Sequence, residues 1–206
     1  MPKRHSVIRA QIIGTGGYAP EKVMPNHDLA KMFTTSDEWI VQRTGIQERR
    51  YIDQPGTSAS DLAVPASKKA IEAAGVAPDE IDAILFGTLS PDYVFPGCAV
   101  LLQKKLGMKP LCALDVRNQC SGFSYMLSIA DAWIKTGVYK RVLVVGSEVH
   151  SSALDYTDRG RDVTVIFGDG AGAVVLGPTD DPNRGIYSSH LYGAGNIAEQ
   201  LWFPGG

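Results

Sequence analysis

Three observations in the sequence predict an α/β fold, with a mixed, mostly parallel sheet covered by helices. Short β-rich apolar runs alternate with longer helical ones, the order that parallel strands and their crossovers require. The β-rich runs, such as Leu111-Cys112-Ala113-Leu114-Asp115-Val116, are nearly continuous in apolar residues, as in a sheet buried on both faces. The 206 residues, 44% hydrophobic and 20% charged, suffice for one good-sized core.

In chain order, a strand is predicted over 7–13. A helix follows over 26–33 with Asn26 placed to cap it, then one over 36–43 with Ser36 as cap, Asp37 and Glu38 in its first turn and Gly45 to end it. A helical pattern over 60–74 stops at Gly75. Pro65 inside it should mark its true start or kink it. A strand at 83–88, a helix at 96–106 ended by Gly107, a strand at 111–116 and a helix at 120–136 ended by Gly137 come next. Strands at 142–145 and 171–176 complete this part. Residues 180–185, Asp-Asp-Pro-Asn-Arg-Gly, read as a turn or linker. After it come a β-like segment at 186–192 and a Gly-rich end without a helix. Two units are therefore expected, 1–180 and the beginning of a second over 181–206. The chain reads as cut off within an architecture, leaving Leu201-Trp202-Phe203 without an apolar partner.

The composition excludes several functions. Net charge is −2 and the basic residues are dispersed, so nothing marks a nucleic-acid partner. No apolar stretch reaches the length of a membrane span, and the start does not read as a signal peptide, so a cytoplasmic location is expected. Three cysteines without C-x-x-C spacing argue against a disulfide framework and a zinc site, and four scattered histidines lack ligand spacing. No metal or cofactor is expected.

The candidate nucleophile is Cys120, at the junction of the 111–116 strand and the helix that follows. A thiol there points at the open end of a sheet and feels the positive end of a helix, which favours the nucleophilic thiolate form. Cysteine is also among the most buried residue types, and position alone fits either role; Cys98 and Cys112 read as small core residues. Ser121 and Gly122, directly after Cys120, leave room for a substrate and for a backbone N–H to face a developing oxyanion.

Trp39 and Arg43, four apart on a helix, share a face. They suit packing of the Arg stem across the indole, or stacking of a purine beside a cation for its phosphates. Arg49 and Arg50 read as a solvated edge that could add positive field. Phe167-Gly168-Asp169-Gly170-Ala171-Gly172 is followed by a strand-like run, which favours a close-packed turn over a phosphate cradle. Arg159-Gly160-Arg161 lies in a polar loop between strands, where ligands are usually met.

Together these segments resemble the β-ketoacyl-acyl-carrier-protein synthase III family of the thiolase-fold superfamily. The resemblance rests on Ile12-Ile13-Gly14-Thr15-Gly16, Thr35-Ser36-Asp37-Glu38-Trp39-Ile40-Val41-Gln42-Arg43-Thr44-Gly45-Ile46, Phe95-Pro96 and 115–123. It continues through Val144-Val145-Gly146-Ser147-Glu148, Thr157-Asp158-Arg159-Gly160 and 166–173. It implies two similar α/β halves in an αβαβα arrangement, of which this chain carries largely the first. It implies that Cys120 takes an acyl group from acyl-CoA by a ping-pong route, and that Trp39, Arg43 and Arg159 contact coenzyme A with Thr35 close by. It further implies that Phe95 reaches the neighbouring subunit's acyl pocket in a homodimer. The activity implied is a decarboxylative Claisen condensation of the acyl group with malonyl-carrier protein, or with malonyl-CoA, in fatty-acid or related biosynthesis.

Two departures bear on that expectation. Asn118 and Gln119 stand where many members carry small alanines, and the Arg159 loop is slightly longer, which leaves acyl chain length and acceptor open. The family's catalytic His and Asn belong to the second half, and His150 and His190 do not stand in the matching motif. A second polypeptide supplying that half is one expectation. The alternatives are a relative that condenses two acyl-CoAs or acylates oxygen or nitrogen, a non-catalytic half that binds another polypeptide, and a sugar-kinase-like domain suggested only by Gly168-Asp169-Gly170.

Overall fold

The computed structural model describes residues 8–201. The start of the first predicted strand at Val7, and Trp202 and Phe203 of the apolar end group, lie outside the described residues. The elements are β1 Arg9–Tyr18, β2 Lys22–Pro25, α1 Asn26–Leu29, α2 Asp37–Thr44, β3 Glu48–Tyr51, α3 Ala59–Ala74, β4 Ala83–Gly87, α4 Cys98–Leu106, β5 Cys112–Asp115, α5 Gly122–Lys135, β6 Val142–Val149, α6 Arg161–Thr164 and β7 Asp169–Thr179.

The main sheet has the order β1-β7-β6-β4-β5. β5, β4 and β6 pair in parallel, while β7 is antiparallel to both β6 and β1, so β7 alone runs against the others. Successive side chains of a strand point to opposite faces. On one face Ile84, Phe86, Leu143 and Val145 meet α3 and α4; on the other Ala83, Leu85, Val142 and Val144 meet Met126, Ala130 and Ile134 of α5. The layers are therefore helix, sheet, helix.

β1 runs on through Gly14-Thr15-Gly16-Gly17, beyond the predicted 7–13. A Cβ at Gly14 would lie 2.2 Å from the Ala70 carbonyl oxygen, and one at Gly16 would lie 2.2 Å from that of Ala66. These glycines extend the strand and let the alanine face of α3 sit on it. Pro65 neither starts nor breaks α3, which spans Ala59–Ala74 with Pro65 inside. The Asp61 carboxylate reaches back to accept from the Ser58 N–H (3.0 Å) and hydroxyl (2.7 Å), and the buried Ala63, Ala66 and Ala70 hold the helix beyond the proline.

A small lobe formed by β2, α1, α2 and β3 packs around Met24, Leu29, Phe33, Ile40, Tyr51 and Val165. Its two-stranded sheet pairs β2 with β3 antiparallel, in segments too short and polar to be read from the sequence. Ser36 caps α2, accepting from the Trp39 N–H at 3.1 Å, but Asn26 does not cap α1, whose N-cap is Pro25. The buried Asn26 side chain instead donates to Asp37 Oδ1 and the Ile46 carbonyl, both at 2.7 Å. No strand forms over 186–192. Ile186 donates one hydrogen bond to the Ala10 carbonyl (2.8 Å), and Tyr187 and Tyr192 stay exposed, so the segment lacks the burial and ladder that would make it a strand.

Candidate active site

Cys120 lies in a single 3₁₀ turn, Gln119–Ser121, between β5 and α5. β5 is extended by the bond from the Val116 N–H to the Phe86 carbonyl (2.8 Å). The turn follows at the carboxyl ends of the parallel strands, the edge where open α/β sheets take ligands. Asn118 braces it: its Nδ2 donates to Ser121 Oγ at 3.2 Å, and that hydroxyl donates to the Asn118 carbonyl at 3.4 Å. No side chain caps α5, and space around Gly122 is open enough that a Cβ there would meet nothing within 4 Å. Of the three thiols Cys120 is the exposed one, Cys112 is half-buried and Cys98 is buried. Burial pushes the Cys98 thiol up to about 12, and its N–H is held by Asp115, whose carboxylate accepts from Cys98 (2.6 Å) and Ala99 (2.9 Å) at the start of α4.

The loop joining β4 to α4 is anchored at its base and free at its tip. Glu148, near the end of β6, accepts from Thr88 Oγ1 (3.1 Å), the Leu89 N–H (2.8 Å), the Ser90 N–H (3.1 Å) and Ser90 Oγ (2.6 Å). Asp92 accepts from the Ser60 N–H (2.9 Å) and Ser58 Oγ (2.8 Å). Beyond these anchors Val94 and Phe95 are 103% and 88% exposed. Phe95 thus stands at the tip of an otherwise fixed loop.

Trp39 gathers two guanidiniums. Arg43 Cζ lies 4.2 Å from its ring centroid and Arg161 Cζ 4.6 Å, within cation–π range. Arg43 also donates from Nη1 to the Trp39 carbonyl at 3.3 Å. Arg159 is not in this group. Its Nε is drawn to Asp155 Oδ2 at 2.7 Å and its side chain is 89% exposed. Thr35 is half-buried, and its Oγ1 is buried without a hydrogen-bond partner among the described residues. The sequence marks Arg159 and Arg161 alike as loop arginines, and only the family resemblance favours Arg159 over Arg161.

Two networks hold this group. Asp158 accepts from the Thr34 N–H (2.5 Å) and Thr34 Oγ1 (3.1 Å), tying the 155–161 loop to the segment before α2. Arg49 is buried, not solvated: it donates to the Met24 carbonyl (3.0 Å), Asn26 Oδ1 (2.8 Å) and the Val165 carbonyl (3.0 Å), and so links the lobe to the end of α6. The expected turn over Gly168–Gly172 is instead the start of β7, whose strand begins at Asp169, and it is close-packed at Gly168 and Gly170 but open at Gly172, where a Cβ would meet nothing within 4 Å. Asp169 is buried there and accepts from the Ile52 N–H (2.7 Å) and from Ser151 N–H (2.8 Å) and Oγ (2.5 Å). Among the described residues no cluster of His, Cys, Asp or Glu could hold a metal ion, and no helix is long and apolar enough to cross a membrane. No hydrogen bond or ring contact among the described residues joins Cys120 to the Trp39 group.

Residues 114–195 match the family described as 3-oxoacyl-[acyl-carrier-protein (ACP)] synthase III. A β-ketoacyl-[acyl-carrier-protein] synthase III of Xanthomonas oryzae pv. oryzae is 52% identical over 199 residues, 97% of this chain and 60% of that protein. The crystal structure of 3-oxoacyl-[acyl-carrier-protein] synthase III from Aquifex aeolicus VF5 is 46% identical with a TM-score of 0.80, over 84% of this chain and 55% of that one. For the β-ketoacyl-[acyl carrier protein] synthase III of Thermus thermophilus the identity is 38% and the TM-score 0.87, over 94% and 59%. The chain spans about 60% of the length of the curated relatives it matches.

Proposed function

The chain belongs to the β-ketoacyl-[acyl-carrier-protein] synthase III family and has its thiolase-like α/β fold, and from that premise we propose that it carries the acyl-accepting half of a cytoplasmic condensing enzyme. The observation that carries this reading is the exposure of Cys120 alone among the three thiols, at the start of an uncapped helix. The Cys120 thiolate attacks the carbonyl carbon of an acyl-CoA thioester. Collapse of the tetrahedral adduct expels the coenzyme A thiolate and leaves an acyl-enzyme. In the adduct the negative charge on oxygen faces backbone N–H groups that no side chain has capped.

The condensation that follows takes malonyl-carrier protein. Loss of CO₂ leaves an enolate whose carbon attacks the acyl-enzyme carbonyl, forming the new carbon–carbon bond and returning the Cys120 thiolate. The family resemblance assigns the His and Asn of that step to the part of the family's length this chain does not span, so only acyl transfer is assigned to these residues. Trp39 and Arg43, with Thr35 close by, receive the nucleotide end of coenzyme A together with an arginine of the 155–161 loop, which the resemblance gives as Arg159, and its pantetheine arm leads to Cys120. Phe95 enters the acyl pocket of a second copy in a homodimer.

Incubation with acetyl-CoA and mass spectrometry of the digested protein tests the reading. An acetyl adduct on Cys120 that vanishes in Cys120→Ser is the expected result, and acylation that survives the substitution contradicts it.

A further inference from the structure

We propose that Arg161, rather than Arg159, is the loop arginine that determines recognition of the nucleotide end of coenzyme A, an inference that rests on the reading of Trp39 given above. The loop is folded so that the two arginines have different employments. Gly160 approaches the Asp155 backbone so closely that a Cβ there would lie 2.1 Å from the Asp155 carbonyl oxygen, and Thr164 Oγ1 donates to the same oxygen at 2.8 Å. With the chain folded back in this way, the Asp155 carboxylate takes Thr157 Oγ1 (2.7 Å) and Arg159 Nε (2.7 Å). Arg159 is thereby paired with a carboxylate, as Arg161 is with Asp162, and what separates the two is that Arg159 is turned to solvent. Asp158 accepts from Thr34, and its charge lies close enough to feel Arg161, so it draws Arg161 and not Arg159 toward the segment before α2.

Arg161 is placed otherwise. Its side chain is 35% exposed against 89% for Arg159, and its guanidinium carbon lies 4.6 Å from the Trp39 ring centroid. Its Nε is tied to Asp162 Oδ1 at 3.2 Å, which leaves the two Nη groups as donors beside the indole. A planar aromatic ring next to two guanidiniums is matched by a purine that stacks and phosphates that accept bidentate hydrogen bonds. Arg43 alone would offer one such fork; Arg161 supplies the second, from an element that begins 117 residues beyond α2's end at the far side of the Asp158–Thr34 tether. The longer loop noted in the sequence thus has a physical consequence: it sets a different arginine against the indole.

Binding of adenosine 3′,5′-bisphosphate, the nucleotide fragment of coenzyme A, measured by calorimetry at low and high salt, tests this. Arg161→Ala is expected to weaken binding about tenfold and to flatten its salt dependence, because a charge-assisted phosphate contact is lost. Arg161→Lys should restore the salt dependence but only part of the affinity, since an ammonium does not stack. Arg159→Ala should cost less than Arg161→Ala. A larger loss in Arg159→Ala, or a loss in Arg161→Ala that is the same at all salt concentrations and not recovered by Lys, overturns the assignment. If the unmutated protein binds neither the bisphosphate nor acetyl-CoA, the coenzyme A reading of Trp39 fails and this inference with it.

Discussion

Arg49 donates from Nη2 to Asn26 Oδ1 across 2.8 Å, a buried contact between residues 23 apart in the sequence. Both Nδ2 protons of Asn26 are also in use, donated to Asp37 and the Ile46 carbonyl. Arg49 has no carboxylate within ion-pair distance among the described residues, so a buried cation is held by neutral acceptors. Removing one of them leaves a desolvated donor. Asn26→Ala should therefore destabilise the protein by about 2–4 kcal/mol. A lowered urea midpoint with unchanged slope is the expected measurement, and an unchanged midpoint contradicts the role given to this pair.

Alkylation should separate the three thiols. Because burial raises Cys98 to about 12, it is a protonated thiol at any pH where the protein is handled, and the thiolate is the reacting species. Cys120 is exposed. One equivalent of iodoacetamide at pH 8 should go to Cys120, with Cys112 slower and Cys98 unlabelled until the fold is lost. Peptide mapping with label centred on Cys112 would contradict the assignment of the nucleophile.

Trp39→Ala should weaken acetyl-CoA binding by about 1–3 kcal/mol if a purine stacks on the indole. It should also release both guanidiniums from their ring contacts. Calorimetry on a variant with unchanged far-UV circular dichroism checks this. Unchanged affinity would return Trp39 to a packing role.

What was legible in the sequence followed periodicity. The strand runs and α3, α4 and α5 were visible because their apolar faces are long and are buried by the same sheet. β2 and β3 were not, because Lys22-Val23-Met24-Pro25 and Glu48-Arg49-Arg50-Tyr51 have too few apolar residues to register as strands. Arg49 was read as a solvated charge because burial of an arginine depends on carbonyls from three distant segments, which no local pattern reports. In the candidate site, Cys120, Trp39 and Arg43 were marked by position or spacing. Arg159 and Arg161 could not be told apart, because Asp155, five residues upstream of Gly160, draws Arg159 away while Arg161 reaches the Trp39 ring, and no local pattern reports either contact.

Acid should untie the Arg161 loop. The Asp158 carboxyl is held below the usual carboxylate range by the Thr34 N–H first and the Thr34 hydroxyl second. A group whose folded pKa is depressed contributes above its unfolded value, about 4, and that contribution is lost as the pH falls through the folded pKa. The Thr34 amide proton shift should therefore be constant from neutral pH down to about 4 and titrate below it. In Asp158→Asn the acid-range step at Thr34 should be absent. Its persistence would mean that another carboxylate governs the loop.

The tip of the β4–α4 loop gives the last prediction. Val94 and Phe95 present adjacent apolar side chains to solvent at 103% and 88% exposure, which costs solubility and contributes nothing to the core. The loop is not loose. Glu148 fixes 88–90 through both carboxylate oxygens, Asp92 binds the start of α3, and Asp115 holds the Cys98 and Ala99 amides where the chain re-enters α4. A tip so anchored is preorganised, so inserting it into a partner carries little ordering entropy. If that partner is a second copy, Phe95→Asp buries a charge in the interface without touching the protomer's own core. The thermal midpoint extrapolated to low protein concentration should then stay within a few degrees of the parent, while sedimentation velocity shows the dimer dissociating at concentrations about a hundredfold higher, the effect of some 3 kcal/mol. A Phe95→Asp protein that sediments as the parent does at every concentration would exclude this loop from the interface.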